Sequence, residues 1–404
     1  MANTLKFGNG EWATKEGSTL AYNDENGNFK PLPFTFDRST SATRVNKEGL
    51  IEVVSNNEPR IDFLNDSKGA LLLEPSRTNS FLYSNQFDTT WNLNYLVLTG
   101  GQIGINGDND AWLVSGFSGT GEKRLRQNPN LVGNTAISVY AKKGTNDFLW
   151  LRGVTDGFNK RTFFNLSNGT IGQDGAASSN MIDMGNGWYR CEAVFNQSSG
   201  FDFYIGLSDS NGASTTSTTG NIYIQYAQAE QGSYATSYIP TQGSIGTRVA
   251  ESCSDAGNDQ VFNDSEGVLF AEISALADDG TARRIYINNS DNSKNMLLEF
   301  SSTTNQIRAV LFNGSTQADL STTTYNQIDN NKIAFKYKAS NFALWVDGIE
   351  VDSQVGSGTT FNNGDLERML FSYVSSVNFY GNTKQIKYFN EALTDAELAA
   401  LTKI

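Results

Sequence analysis

Residues 226–248, YAQAEQGSYATSYIPTQGSIGTR, set the strongest local limit on how this chain can fold. Their lead-in alternates. Ile222, Ile224 and Tyr226 fall on one side and Tyr223, Gln225 and Ala227 on the other, the period of a half-buried strand. The strand runs into Gly232-Ser233, and Pro240 has no amide hydrogen to give to a sheet ladder. A strand ends here, and a domain closes with it. Short strand patterns recur upstream at 136–141, 148–154, 162–166, 188–195, 201–207 and 220–226, separated by Gly-, Asn- and Ser-rich turns. Regular short strands of this kind predict a sandwich or jelly roll. With 38 Gly, 6 Pro, 25 Phe and 16 Tyr, the composition favours an all-β protein with many turns, and 404 residues suggest two or three domains.

The same residues carry a family resemblance. The run from Gln228 to Thr241 resembles the Q-x-E-x-G-x-x-x-T-S-Y-I-P-T signature that closes carbohydrate-binding-module-like jelly rolls in bacteriophage virion proteins. Residues 34–45, FTFDRSTSATRV, and 69–80, GALLLEPSRTNS, resemble the entry module before such jelly rolls in phage tail, fibre and head-decoration proteins. Residues 266–401 resemble a concanavalin A-like or laminin G-like sandwich, most clearly at 384–398, KQIKYFNEALTDAEL, its closing strand and short helix. The resemblance implies an all-β chain, with jelly-roll and concanavalin A-like β-sandwich domains after a small N-terminal β module. The expected division is a leader or attachment segment at 1–33, a small entry module at 34–80, the jelly roll at 81–240, a linker at 241–262 and the second sandwich at 263–404.

It also implies a function. The chain is expected to be a non-enzymatic virion structural protein of tail fibre, head fibre or decoration type that adheres to a host-surface glycan. Its N-terminal side would join other virion proteins, and the protein would be a homo-oligomer. The chain has neither coiled-coil heptads nor an evident trimerising stalk, which favours a short appendage or decoration over a long fibre. Two alternatives stand beside this: a purely structural adaptor without a sugar site, and a polysaccharide-degrading enzyme.

Charge and residue usage narrow the chemistry. The 30 Lys+Arg against 43 Asp+Glu give a net charge of −13, which disfavours nucleic acid, and the densest basic stretch, 122–126, is short and mixed. No apolar run approaches a membrane span, so membrane insertion is not expected. The opening residues lack the basic and apolar regions of a secretory signal, pointing to synthesis in a host cytoplasm and localisation to the virion. Without histidine there is no Ser–His–Asp or Cys–His nucleophile and no His-ligated zinc. Cys191 and Cys253 are expected as free thiols. Glycoside hydrolysis needs two carboxylates, and the nearest candidates, Glu272 and Glu299, fall on different expected strands and read as solvent-exposed.

Sugar binding, the activity implied by the resemblance, needs an exposed aromatic plane beside polar donors. Trp150 and Arg152 share one face of their strand while Leu149 and Leu151 share the other, core-like face. Tyr204, with Asp202 and Ser208, is a second glycan-binding candidate, and Trp345, beside Asp347 and opposite an apolar face, is another. Trp150 also reads as core or as packing against the neighbouring domain, and Trp345 as covering a subunit contact. No cofactor is expected other than calcium, for which Asp108 and Asp110 are the candidates; an ordinary Asp/Asn-rich turn is the competing reading. Arg38, Arg44, Arg60 and Arg77 interleave with Asp37, Glu58, Asp62 and Glu74, and internal pairing is favoured over a partner surface. Asn26-Gly27 and Asp347-Gly348 read as hairpin turns, and Thr394 with Glu397 as a capping box.

Overall fold

The computed structural model describes residues 5–15, 19–22, 32–64, 66–155, 158–200, 202–213, 215–216, 219–372 and 377–404. The expected Asn26-Gly27 turn lies outside them. The chain forms two compact units, one from residues 1–41, 54–75 and 250–404, the other from 42–53 and 76–249. The described residues are almost entirely β, with one α-helix, Asp395–Thr402.

The second unit is a jelly roll of two six-stranded antiparallel sheets. One runs in the order Asn92–Asn94, Lys123–Gln127, Phe203–Ser208, Phe148–Thr155, Phe158–Asn165 and Thr170–Ile171. The other runs Leu96–Gln102, Ala111–Gly116, Asn221–Gln231, Gly133–Lys143, Trp188–Gln197 and Ser178–Asp183. Alternation builds its core: Leu149, Leu151, Leu125 and Ile205 from the first sheet meet Ile137, Val139, Cys191 and Ile224 from the second. The closing motif folds back on the jelly roll through buried polar groups. Thr236 donates to Glu230 through its amide and its hydroxyl, both at 2.6 Å, and the Ile239 amide donates to Gln228 Oε1 at 2.7 Å. Asn79, from the second entry motif, donates to the Ile239 carbonyl at 2.9 Å and accepts from the Ala229 amide at 3.1 Å. The signature residues therefore hold the chain exit in place.

The first unit is a sandwich of an eight-stranded and a five-stranded sheet, with Leu269, Phe335 and Ile386 of the larger packed against Ile285, Leu298 and Ala309 of the smaller. Its larger sheet recruits distant chain. Leu5–Gly8 and Ala70–Leu73 both pair with Gly381–Phe389. In a separate four-stranded sheet, Ser252–Ser254 pairs with Phe34–Asp37. Described residues of the expected leader, with 34–41 and 54–75 of the entry module and 250–262 of the linker, fall in this unit, while 42–53, 76–80 and 241–249 fall in the jelly-roll unit. Asp347 and Gly348, with φ of 49° and 87°, make the expected tight turn. Thr394 caps the helix, its side chain accepting from the Glu397 amide and Glu397 reaching back to the Thr394 amide.

One ion cluster fixes this arrangement. Arg38, Arg60, Glu74 and Glu251 are all buried. Arg38 Nη1 reaches Glu251 Oε1 at 2.6 Å, Arg60 Nη1 reaches Glu74 at 2.8 Å, and Arg60 Nη2 pairs with Glu251 Oε2. Burial works to lower the Arg60 pKa, but Glu251 and Glu74 outweigh it and hold the guanidinium above its ordinary value. Arg38 and Arg60 are internally paired, with Glu251, in the expected linker, as their shared partner. Asp62 and Glu58 instead accept backbone amides of Leu64 and Ser55.

Candidate functional site

A cluster of charged side chains lies on the outer face of the jelly roll's first sheet. Leu125, Leu149 and Leu151 point into the core, so their neighbours Arg124, Arg126, Trp150 and Arg152 point away from it. Cross-strand register then lines up two rows. Arg126 stands opposite Tyr204, Tyr204 opposite Arg152, and Arg152 opposite Arg161. Alongside, Arg124 stands opposite Gly206, Gly206 opposite Trp150, and Trp150 opposite Phe163.

Gly206 makes the aromatic bed possible. A Cβ there would come within 2.1 Å of the Trp150 ring, so the indole lies across the glycine. Trp150, Phe163 and Tyr204 form a small cluster separate from the main core. Guanidiniums cover it. Arg152 Cζ sits 3.6 Å from the Tyr204 ring centre, Arg124 Cζ 4.8 Å from the same ring, and Arg161 Cζ 5.5 Å from Trp150.

Glu122 accepts from three of these arginines: Arg124 Nε at 2.9 Å, Arg152 Nη1 at 2.8 Å, and Arg161 Nη2. Arg126 pairs with Asp202. Four guanidiniums against two carboxylates leave a surplus of two positive charges (4 − 2 = 2) on a chain of net charge −13. Burial first, and then repulsion from Arg152, hold the Arg161 pKa below its ordinary value despite Glu122. Arg124 Nη1, Arg152 Nε and Arg161 Nε are buried without an acceptor among the described residues. Excess positive charge on planar guanidiniums that keep some surface exposed, 39% for Arg126 and 19% each for Arg124 and Arg161, is suited to a carboxylate or another oxyanion.

Three of the sequence candidates, Trp150, Arg152 and Tyr204, therefore meet on one face, but not as exposed stacking planes. Trp150 is wholly buried, and Arg152 and Tyr204 are nearly so. The arginines cover the rings, which leaves Arg124, Arg126 and Arg161, each partly exposed, as the accessible groups. Glu122, Arg124, Arg126 and Arg161 were not singled out from sequence. The signal was the period-two spacing of Glu122, Arg124 and Arg126, which puts all three on one face of a strand. Ser208 is buried, donating to the carbonyls of Ser210 at 2.9 Å and Ala213 at 2.6 Å.

Trp345 belongs elsewhere. It is buried with Phe270, Ala334 and Leu398 beneath the helix, so it offers no sugar platform. The helix is also tied to this face by Lys336, which pairs with Asp395 at 3.1 Å. Asp108 and Asp110 are engaged by side-chain amides, and their Oδ2 atoms share the Asn106 amide. Asp110 Oδ1 accepts from Gln225 at 2.6 Å, its Oδ2 accepts from Asn85 at 3.1 Å and Asn106 at 3.3 Å, and Asp108 Oδ2 accepts from Asn106 at 3.2 Å. Among the described residues no group of three or more acidic or Cys side chains is placed to hold a metal ion. Glu299 is not solvent-exposed as expected; it is buried and paired with Arg284 and Arg308. Glu272 accepts from Asn330 at 2.8 Å and from Gln385 at 2.5 Å. Cys191 and Cys253 are free and buried, and burial raises both thiols well above the ordinary range.

No family model and no curated protein matches the chain. Solved structures with similarity include the CBM40 of Ruminococcus gnavus IT-sialidase, at 16% identity and a TM-score of 0.31, over 35% of this chain and 85% of that one. Domains LG4-5 of the mouse laminin alpha1 chain align at 10% identity and a TM-score of 0.25, over 80% of this chain and 92% of that one. Trypanosoma rangeli sialidase in complex with sialic acid aligns at 9% identity and a TM-score of 0.30, over 72% and 60%. At these scores the likeness ends at β-sandwich architecture and says nothing about ligand.

Proposed function

We propose that this chain is a non-enzymatic component of a bacteriophage virion, a fibre or decoration protein, and that the arginine face of its jelly roll binds an acid-bearing glycan. The observation that carries the glycan reading is the surplus of two positive charges on partly exposed guanidiniums over an aromatic bed. A sugar carboxylate supplies a counter-charge, and the many copies on a particle turn weak sites into firm adhesion. The virion setting is supported by the motifs at 34–45, 69–80 and 228–241. The non-enzymatic reading is supported by the absence of histidine and by the engagement of Glu272 and Glu299 in internal hydrogen bonds and ion pairs.

Sialyllactose, to which the R. gnavus module is bound in two solved structures, is the first probe, followed by oligouronates. Binding by the intact chain that falls about tenfold in the Arg124→Gln/Arg161→Gln double variant is expected. Unchanged binding in that variant would remove the site from this face. Imaging of phage particles labelled at Ile404 tests the setting, and particles without label would sink it. A structural adaptor is the second reading, favoured by Glu122 already engaging three of the arginines; it predicts no glycan binding at all.

A further inference from the structure

The same unit carries a second concave feature, a cleft of about 880 Å³, within the size range of small-ligand sites. Residues 42–53 form a two-stranded ribbon whose Thr43 and Ile51 line it. The ribbon is tied down by the Thr43 hydroxyl, which donates to the Tyr238 carbonyl at 2.7 Å, and by the Ile51 amide, which reaches the Ile105 carbonyl at 3.4 Å. Tyr226 and Tyr238, stacked with ring centres 4.1 Å apart, also line the cleft. Tyr226 adopts φ 54°, an unusual conformation for an aromatic residue, beside a register shift between its strand and Gly133–Lys143. Bulges of this kind re-aim a side chain.

Two further features describe what the cleft can hold. Trp112 is half-buried, and its indole N–H donates to the Asn85 carbonyl at 2.9 Å, which fixes the ring. The charged lining residues are Glu52, Asp108 and Asp110, with no Lys or Arg among them. Arg44 pairs with Glu52 at 2.7 Å, whereas Asp108 and Asp110 make no ion pair among the described residues. Burial, with Asp108 adding to it, raises the Asp110 carboxyl pKa above its usual range, as expected of an acid with no cation beside it.

We infer that this cleft is a second saccharide site, specific for sugars without acid groups and best matched by a free amino sugar. The jelly roll then takes glycan at two places with opposite charge preference. Hydroxyl and ammonium donors meet the exposed Asp108 carboxylate, with Asp110, whose oxygens already accept from Gln225, Asn85 and Asn106, adding negative charge beside it, while a pyranose face lies on Trp112. A carboxylated sugar would face two aspartates with no compensating cation, and juxtaposed like charges cost several kcal/mol. This reading stands on the cleft alone and does not require the arginine face to bind anything.

The test is titration of the intact chain with three β-1,4-linked oligomers: glucosamine, glucose and glucuronate. The glucosamine oligomer is expected to bind at least about tenfold more tightly than the glucuronate oligomer, a difference that like-charge repulsion readily supplies. Trp112→Ala should abolish that binding. Asp108→Asn, a change at an exposed position that leaves folding intact, should weaken it several-fold, and Arg124→Gln/Arg161→Gln should leave it unchanged. Glucosamine binding that survives both Trp112→Ala and Asp108→Asn would overturn the assignment. So would glucuronate binding lost in Trp112→Ala, or no binding of either the glucosamine or the glucose oligomer at millimolar concentration. Each of these results is separable from failure at the arginine face, which only the arginine double variant reports.

Discussion

Glu251 in one unit and Glu122 in the other do similar work with opposite results. Each gathers arginines that the sequence scatters along the chain. The Glu251 cluster holds two arginines and two glutamates, is neutral, and is sealed from solvent. Glu122 holds three arginines, keeps 24% of its side chain exposed, and leaves guanidinium N–H groups without acceptors. Charge balance and exposure, not residue type, separate the ion cluster that fastens the fold from the one proposed to take a ligand.

The sharpest way to break this distinction is Glu251→Gln. It leaves two buried guanidiniums short of a carboxylate and is expected to cost about 3–5 kcal/mol of stability. Urea unfolding of the variant checks it, and a loss below about 1 kcal/mol would mean that the cluster fastens little. Gly206→Ala comes next. A methyl group there meets the Trp150 ring at 2.1 Å, and overpacking of this kind costs about 1–3 kcal/mol. Because Trp150 underlies Arg161 and Arg152, the same change should also weaken glycan binding at the arginine face. Destabilisation with unaltered binding would show that the aromatic bed does not position the guanidiniums.

The local levels of the fold were legible and the distant ones were not. Alternation at 148–152 separated Leu149 and Leu151 from Trp150 and Arg152, and the Asp347-Gly348 turn and Thr394 cap are written in adjacent residues. Nothing local says that Leu5–Gly8 and Ala70–Leu73 find Gly381–Phe389, or that the expected entry module is shared between the two units, with 42–53 and 76–80 going to the jelly roll. Glu251 sits in a short, polar, serine-rich stretch that reads as linker, and its role exists only once Arg38 and Arg60 converge on it. Trp345 misled because strand alternation shows that a residue leaves one face and not what covers the other. The arginine face was half legible. Its strand residues were placed correctly, but the rings lie under the arginines because Gly206 lets the indole lie flat, a fact of register and not of composition.

Smaller effects sharpen the comparison on the binding side. Glu122→Gln raises the surplus on the arginine face from two positive charges to three and releases guanidinium donors, so an acid-bearing glycan is expected to bind about tenfold more tightly, equivalent to about 1.4 kcal/mol. Titration calorimetry of the variant checks this, and weaker binding would recast Glu122 as a group that orders the site instead of competing with the ligand. Salt gives the finest separation. Arg126 is 39% exposed and Arg124 and Arg161 are each 19% exposed, whereas Arg38, Arg60 and Glu251 have no exposed side-chain surface. Exposed charges are screened over a Debye length of about 8 Å at physiological ionic strength, and buried pairs much less so. Raising the salt about tenfold should therefore weaken glycan binding several-fold while leaving the stability cost of Glu251→Gln unchanged. Equal salt sensitivity in both measurements would mean that the two clusters share one electrostatic environment, and the distinction between fastening and binding would fail.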